Sequence, residues 1–244
     1  NRAEKSQACD RATHAAREAE ARSALADAEA SVRDEDRLSL TLPDPQVGSG
    51  RRLAELIGAD RTVVLAGPER VALVGPNGVG KTTLLRSLVE GEPSHLPASG
   101  RALTDRVGYL PQRLDGLADA RTPLEELTAR APRVPDRDLR NALASFGLPG
   151  PLATRSIGAL SGGERFRVAL AGLLLADPAN QLLVLDEPTN NLDLATVEAL
   201  VGALDAYRGG LLVVSHDAAF LRRLRLTRVL ALDAEGGLTD RDEP

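Results

Sequence analysis

The chain has 244 residues, of which 43% are hydrophobic and 27% are charged, so it is long and apolar enough to bury a sizeable core. Its formal net charge of -5 does not indicate a nucleic-acid-binding protein, although a net value can hide a local basic face. No apolar stretch approaches the roughly 18–20 residues of a membrane span, and the single cysteine fits a reducing compartment. We therefore expect a cytoplasmic protein without a membrane span. Because the chain contains no methionine, we also expect it to be a fragment.

Residues 1–36 are rich in Ala, Arg and Glu and contain neither Gly nor Pro, which predicts one long helix. A solvated helix without a partner explains this composition as well as a helix packed on a second one. After this segment, the alternation of Leu38, Leu40 and Leu42 predicts a half-buried strand, and residues 43–50 form a predicted loop. The small residues of the helix recur in steps of three and four, as in a heptad seam, at Cys9, Ala12, Ala16, Ala19, Ser23, Ala26 and Ala30.

The stretch GPNGVGKTT, residues 75–83, lies between an apolar β-type run and the helical pattern LLRSLV. Glycines let a backbone wrap closely around phosphate groups, and a helix N-terminus offers them free N–H groups. We predict that Lys81 contacts the β- and γ-phosphates of a nucleotide and that Thr82 places its hydroxyl on Mg²⁺. The alternative is an ordinary glycine-rich turn that caps a helix. The predicted nucleotide-binding residues here are Gly75, Pro76, Asn77, Gly78, Val79, Gly80, Lys81, Thr82 and Thr83.

The stretch LLVLDEPTNNLD, residues 182–193, carries an apolar run directly into two adjacent acids. Asp186, at the end of the predicted strand, fits the carboxylate that positions Mg²⁺ beside a phosphate-binding loop. We predict that Glu187 polarises the water that attacks the γ-phosphate, and general-base help of this kind contributes about 10²–10⁴ in rate. Two solvated acids at a strand end are the alternative, and the glycine-rich loop upstream argues against it.

Three shorter motifs are weak when each is taken alone. Gln112 follows the β-type run that ends in GYL, His216 follows the apolar run LLVV, and Ser161 with two glycines opens an apolar-periodic segment. Read singly, they are a surface glutamine, a structural histidine and a generic helix N-cap. Their order along the chain, together with the glycine-rich loop and the Asp-Glu pair, makes the combination specific.

In this order the motifs resemble the nucleotide-binding domain of an ATP-binding cassette (ABC) protein over residues 37–244. The resemblance implies an α/β fold of the P-loop NTPase class, with a RecA-like core and an antiparallel β subdomain. It also implies a helical subdomain at about residues 115–176. Residues 1–36 would then be a helical interdomain linker segment that precedes the cassette as a long α-helix.

The resemblance also implies roles for the site residues and a composite site. In this family two cassettes meet head to tail, and ATP lies between the glycine-rich loop of one and the signature motif of the other. The implied catalytic residues are Glu187, His216 and Lys81, and the implied metal-binding residues are Thr82, Gln112 and Asp186. Further implied nucleotide contacts are Gln112, the signature residues Ser161, Gly162, Gly163 and Glu164, and Asp193 of the D-loop.

The stretches EPTNNLD, residues 187–193, and SHDAAFL, residues 215–221, are similar to those of the F subfamily (ABC-F). That resemblance implies two cassettes on one chain, joined by a helical linker, that act on ribosomes in translation or antibiotic resistance. We therefore expect the C-terminal cassette of such a protein, a Mg²⁺-dependent ATPase that needs a second cassette. That cassette would be the N-terminal half of the same protein or a second copy of this fragment.

Two other classes of function remain open. The ATPase subunit of an ABC membrane transporter is the first, and the long N-terminal helix argues against it. A non-hydrolysing structural cassette is the second, and the presence of Lys81, Glu187 and His216 argues against that.

One feature departs from the family pattern, because no aromatic residue precedes the glycine-rich loop to stack on adenine. We expect an arginine or an aliphatic side chain to cover the base instead, since guanidinium planes also stack. The candidates are Arg51, Arg52, Leu53 and Ile57. The aromatic residues of the chain, all downstream, are Tyr109, Phe146, Phe166, Tyr207 and Phe220.

Overall fold

The computed structural model of the chain describes residues 42–243 except residues 92, 93, 115 and 191. The helix predicted for residues 1–36 and all but the last residue of the strand predicted from Leu38 to Leu42 lie outside the described residues. The strands are β1 (Arg52–Ile57), β2 (Thr62–Ala66), β3 (Arg70–Val74), β4 (Ser99–Ala102), β5 (Val107–Leu110), β6 (Leu182–Asp186), β7 (Gly210–Val214), β8 (Arg228–Leu232) and β9 (Leu238–Arg241). The helices are α1 (Lys81–Glu90), α2 (Pro123–Arg130), α3 (Asp136–Ser145), α4 (Gly150–Ala153), α5 (Gly162–Leu174), α6 (Leu194–Ala206), α7 (Ala218–Arg223) and a 3-10 helix (Ile157–Ala159).

A six-stranded sheet with the order β5-β6-β7-β3-β8-β9 forms the centre of the described part. All neighbours in it are parallel except β9, which runs antiparallel to β8. Every residue of β6 and of β7 is buried, as expected for central parallel strands that read as continuous apolar runs. The carboxyl ends of β3, β5, β6 and β7 therefore open onto one edge of the sheet, which is where open parallel sheets bind ligands.

A second, three-stranded sheet is antiparallel and has the order β2-β1-β4. It shares a hydrophobic core with α1 and the central sheet, through side chains such as Leu56 of β1, Leu84 of α1 and Val184 of β6, which are all fully buried. The antiparallel β subdomain expected from the resemblance is therefore confirmed.

Helices α2 to α5 lie between β5 and β6 in the chain, and α2 packs against both α3 and α5. Both α2 and α5 begin with a capping box, in which the N-cap side chain and a glutamate three residues later bond each other's backbone N–H groups. The expected ABC-type α/β fold is confirmed, while the helical boundaries of about 115–176 stay a prediction. Within residues 42–243, no described helix is long and apolar enough to cross a membrane.

Candidate functional site

A cleft of about 500 Å³ lies at the carboxyl ends of the parallel strands. The glycine-rich loop and the start of α1 line it with Asn77, Gly78, Gly80, Lys81, Thr82 and Thr83. The other predicted residues that line it are Gln112, Asp186, Glu187 and His216. Residues that are far apart in the sequence therefore meet in one cleft, because each follows a strand of the same parallel sheet.

The glycine-rich loop joins β3 to α1 in a conformation that requires glycine at its two ends. Gly75 has a φ of 152°, and a Cβ atom there would lie 2.4 Å from the carbonyl oxygen of Leu232. Gly80 has a φ of 102° and caps α1 without any side-chain hydrogen bond to the first turn. The N-terminal amides of α1 therefore have no capping side chain and are available to an anion.

Lys81 is held in place by the loop that it follows. Its side chain is only 7% exposed, and Nζ donates to the carbonyl oxygens of Gly75, at 2.8 Å, and of Pro76, at 2.9 Å. Burial lowers the pKa of the ammonium, and the charges of Glu187 and Asp186 oppose that shift. The Lys81 ammonium therefore lies near both the loop carbonyls and the carboxylates of Glu187 and Asp186.

Asp186 is fully buried at the end of β6, and neither of its carboxylate oxygens has a hydrogen-bond partner among the described residues. Burial raises its pKa, and the Thr82 hydroxyl, Arg86 and Lys81 oppose that shift without making a hydrogen bond of good geometry. A buried carboxylate without a partner is costly unless a cation compensates it. Asp186 with the neighbouring Thr82 hydroxyl therefore fits a divalent cation.

The donor set near Asp186, one carboxylate and one hydroxyl, suits Mg²⁺. Residues 42–243, as far as the structure describes them, contain no cluster of three or more His, Cys, Asp or Glu residues that could hold a metal ion. Mg²⁺ is commonly bound through one or two carboxylates, with waters and substrate phosphates completing its octahedral shell. One carboxylate and one hydroxyl beside the glycine-rich loop match that preference.

Glu187 leaves the end of β6 in a left-handed conformation with a φ of 48°, which is uncommon for a residue with a side chain. Its backbone N–H donates to the carbonyl oxygen of Val214, at 2.8 Å, and its Oε2 accepts from the backbone N–H of His216, at 3.2 Å. His216 Nε2 lies 3.2 Å from Glu187 Oε1 but without hydrogen-bond geometry. The ends of β6 and β7 therefore bring two of the three predicted catalytic side chains, Glu187 and His216, together.

Three residues that line the cleft were not predicted: Leu96, Asn190 and Val214. Leu96 is 42% exposed and packs against Gly80, where a Cβ atom would lie 2.5 Å from its Cδ1. No motif marks Leu96, because it enters the cleft from the loop that connects α1 to β4. Asn190 belongs to the asparagine pair after Glu187, and its backbone N–H donates to the Glu187 carbonyl oxygen at 3.2 Å.

The signature residues lie outside this cleft. Ser161 is exposed at the start of α5, where its hydroxyl accepts from the Glu164 N–H at 3.3 Å, and Glu164 Oε2 accepts from the Ser161 N–H at 2.7 Å. Gly162 is exposed and Gly163 is partly exposed in the same turn. None of these four residues lines the cleft around Lys81.

Asp193 is also outside the cleft and is the N-cap of α6. Its Oδ1 accepts from the Thr196 N–H at 2.7 Å, and its pKa is lowered by the hydrogen bonds from Thr196. Arg167 of α5 donates from Nη2 to the Thr196 hydroxyl at 3.2 Å. The second turn of the signature helix and the first turn of the helix after Asp193 are therefore joined by this hydrogen bond.

None of the four candidates for covering adenine lines the cleft. Leu53 is wrong as a candidate, because it is fully buried in the core between the two sheets. Ile57 lines a different groove, beside the end of α1, and Arg52 pairs with Glu55. Arg51 is exposed beside them.

The family model described as ABC transporter matches residues 62–190, which is more than half of the chain. The chain belongs to this family. This cassette is 42% identical over 166 residues to the protein YdiF of Bacillus subtilis, covering 68% of the chain and 25% of YdiF. It is 40% identical over 155 residues to the ATP-binding cassette sub-family F member 3 of Mus musculus, covering 63% of the chain and 21% of that protein.

The resemblance of this ABC cassette to the F subfamily is therefore confirmed, and the cassette shares the ATP-binding character of its family. It spans about a quarter of the length of YdiF and about a fifth of the mouse protein. A solved structure of a bacterial Atm1-family ABC exporter with ATP bound aligns with a TM-score of 0.61 and 20% identity, covering 80% of this chain and 39% of that chain. At that identity the match supports the fold alone.

Proposed function

We propose that this chain is the C-terminal cassette of an ABC-F protein, and that it binds and hydrolyses ATP with Mg²⁺ when a second cassette completes its site. The observation that carries the proposal is the division of the predicted residues between two surfaces. Lys81, Asp186 and Glu187 line one cleft, whereas Ser161 is exposed outside it. A site whose halves lie on different surfaces of one domain requires two domains.

The chain's own residues account for phosphate binding. The Lys81 ammonium exchanges its bonds to the Gly75 and Pro76 carbonyls for phosphate oxygens, and the first amides of α1 donate to the same anion. Thr82, Asp186 and Gln112 are the residues that would hold Mg²⁺, which neutralises charge on the β- and γ-phosphates when bound.

Glu187 is the proposed general base of hydrolysis. Its carboxylate lines the cleft and is held by a hydrogen bond from the backbone N–H of His216. In this position it can accept a proton from a water near the γ-phosphate, while the His216 side chain contacts the γ-phosphate. The substitution Glu187→Gln replaces the basic carboxylate by a neutral amide of nearly the same size. We expect turnover of the paired cassettes to fall by about 10²–10⁴ while ATP binding persists and a closed pair accumulates.

The matched control is Glu198→Gln on α6, because Glu198 does not line the cleft and forms an ion pair with Arg223. Steady-state phosphate release and size-exclusion chromatography with ATP are the two measurements. Unchanged turnover in Glu187→Gln would remove Glu187 from its assigned role. An equal loss in both variants would show that any lost carboxylate impairs the chain.

Dependence on a second cassette is tested by dilution of this chain. Because Ser161 of one copy must reach the nucleotide of another, turnover per molecule should fall as the concentration of the chain falls below that of dimer formation. Addition of the N-terminal cassette of the parent protein should restore it. Brisk turnover that stays constant per molecule on dilution would contradict the two-domain site.

The ribosome is the proposed partner of the parent protein, and the cytoplasm is its proposed location. The proposal rests on the F-subfamily resemblance and on the predicted helix at residues 1–36, the position of an interdomain linker. Co-sedimentation of the full-length Glu187→Gln variant with ribosomes in the presence of ATP is the test. A variant that pellets with membranes and never with ribosomes would favour the transporter ATPase instead.

A further inference from the structure

Tyr109 of β5 and Asp186 of β6 lie on the same face of the central sheet. In the parallel pairing of these strands, Tyr109 is opposite Val184 and Leu110 is opposite Leu185. Paired residues of adjacent strands share a face, and residues two apart on one strand share it too. Because Tyr109 and Val184 both pack in the core that contains α1, this is the face that α1 covers. Tyr109 is therefore the diagonal neighbour of Asp186, within reach of an aromatic side chain.

The polar ends of these two side chains are both buried without a partner. The Tyr109 hydroxyl and both oxygens of Asp186 have no hydrogen bond within the part of the chain that the structure describes. Buried polar atoms are almost always hydrogen-bonded, so adjacent exceptions need a physical reason. Tyr109 does not line the cleft, whereas Asp186 does.

Two charged side chains lie near the Tyr109 hydroxyl: the Asp186 carboxylate and the Arg86 guanidinium of α1. A phenol hydroxyl can donate its proton to a carboxylate and can accept a hydrogen bond from a guanidinium.

We propose that Tyr109 is a positioning residue for the cation-binding carboxylate of Asp186. Its hydroxyl donates to the Asp186 oxygen that does not face the cation, and Arg86 fixes the hydroxyl from the other side. Carboxylates that ligate metals are commonly oriented by hydrogen bonds from residues behind them, and losing such a partner costs about 10–100-fold in metal affinity. The inference rests on the proposed Mg²⁺ site and assigns it a supporting hydroxyl.

The test is Tyr109→Phe, which removes only the hydroxyl from a packed ring. Mn²⁺ serves as the probe, titrated by electron paramagnetic resonance into the chain with adenylyl imidodiphosphate, which cannot be hydrolysed. We expect Mn²⁺ affinity to fall by about 10–100-fold, while affinity for the nucleotide in EDTA stays unchanged. A merely structural role for Tyr109 would lower both affinities together, and that result would overturn the proposal.

Tyr207→Phe is the matched control, because Tyr207 is also buried but its hydroxyl donates to the Asn180 carbonyl oxygen at 2.9 Å, away from the cleft. That variant should melt at a lower temperature yet bind Mn²⁺ as the unmodified chain does. If the unmodified chain shows no Mn²⁺ dependence of nucleotide binding, the proposed metal site itself is wrong. If it shows that dependence and Tyr109→Phe matches it, only the role of Tyr109 is wrong.

Arg86→Gln tests the second half of the arrangement. Alone, it should weaken Mn²⁺ binding in the same direction as Tyr109→Phe. In the Tyr109→Phe background it should weaken binding less, because residues that act through one another are not additive. If Arg86→Gln lowers Mn²⁺ affinity equally with and without the Tyr109 hydroxyl, Arg86 does not act on Asp186 through Tyr109.

Discussion

Helices α2 and α5 begin with the same hydrogen-bond arrangement, yet of these two only α5 is expected to contact a nucleotide. At α2, the Thr122 hydroxyl accepts from the Glu125 N–H at 3.2 Å, and Glu125 accepts from the Thr122 N–H at 2.8 Å. At α5, the equivalent distances for Ser161 and Glu164 are 3.3 Å and 2.7 Å. Capping geometry alone therefore does not distinguish a structural helix start from a functional one.

The difference lies in the two residues after each cap. At α2 these are Pro123, which has no N–H to donate, and Leu124, which is 8% exposed. At α5 they are Gly162 and Gly163. A Cβ atom added to Gly162 would have no other atom within 4 Å. The first turn of α5 therefore offers backbone N–H groups at one exposed and one partly exposed glycine, whereas α2 begins with a proline, which has no N–H, and a buried leucine. We therefore expect any functional difference between the two helix starts to depend on the residues after the cap and not on the cap.

The largest expected effect on turnover comes from placing a carboxylate at Gly162, the exposed first residue of α5. Gly162→Asp should lower turnover of the paired cassettes by about 10²–10³, because negative charge meets the phosphates where amide donors are expected. Nucleotide binding by the single chain should be unchanged, since Gly162 does not line the cleft. Phosphate release from paired cassettes and nucleotide binding by the diluted chain are the measurements.

Pro123→Asp is the matched control for that substitution at the other helix. An acidic residue is favourable in the first turn of either helix, so neither variant should be destabilised by its charge. Pro123→Asp should leave turnover unchanged. Full activity in Gly162→Asp would mean that the start of α5 does not face a phosphate, and the two helices would then be equivalent.

An intermediate effect is expected when the capping hydroxyls are removed. Ser161→Ala and Thr122→Ala should each lower the free energy of unfolding by about 0.5–2 kcal/mol, because each removes the side chain that caps a first turn. Only Ser161→Ala should also lower turnover, by about tenfold or more if the hydroxyl bonds a charged phosphate. Denaturant unfolding and turnover, measured on both variants, separate the two roles; equal turnover would contradict a contact of Ser161 with nucleotide.

That the motif residues lie in one cleft could be predicted from the sequence, because each of these motifs follows an apolar strand. The run ending at Asp186 proved to be a fully buried strand, and the runs before Gln112 and His216 proved to be its parallel neighbours. Once a parallel sheet is expected, its carboxyl ends must meet, so residues after those ends share one site. The roles predicted for Lys81 and Asp186 rest on the same local reasoning and stay predictions.

Contacts that depend on tertiary packing could not be predicted. Leu53 precedes the glycine-rich loop, but β1 is the central strand of the antiparallel sheet, so its apolar side chain is buried rather than free to cover a base. Leu96 lines the cleft beside Gly80, although it lies between α1 and β4, where no motif marks it. The approach of Tyr109 to Asp186 depends on the register between β5 and β6, which no spacing in the sequence encodes.

The smallest expected effect is a pH dependence that the two helix starts should share. Hydrogen bonds from the N-cap residue lower the pKa of Glu125 and of Glu164 below the usual 4.5. A lowered pKa stabilises the folded chain above the pKa of the unfolded chain, and this stabilisation is lost as the pH falls through the folded value. Glu125→Gln and Glu164→Gln should therefore lower the melting temperature near pH 7, and the difference from the unmodified chain should shrink below about pH 4.5.

The melting temperatures of both variants, followed from pH 7 downward, would show whether the capping boxes are electrostatically alike. Both glutamates are near the solvent and contact an N-cap N–H through the same atoms, so the two curves should have the same shape. A difference near pH 7 that persists unchanged to pH 4 would mean that the carboxylate charge is not the source of the stabilisation. A pH dependence confined to Glu164→Gln would mean that the capping box of α5 differs from that of α2 even without a nucleotide.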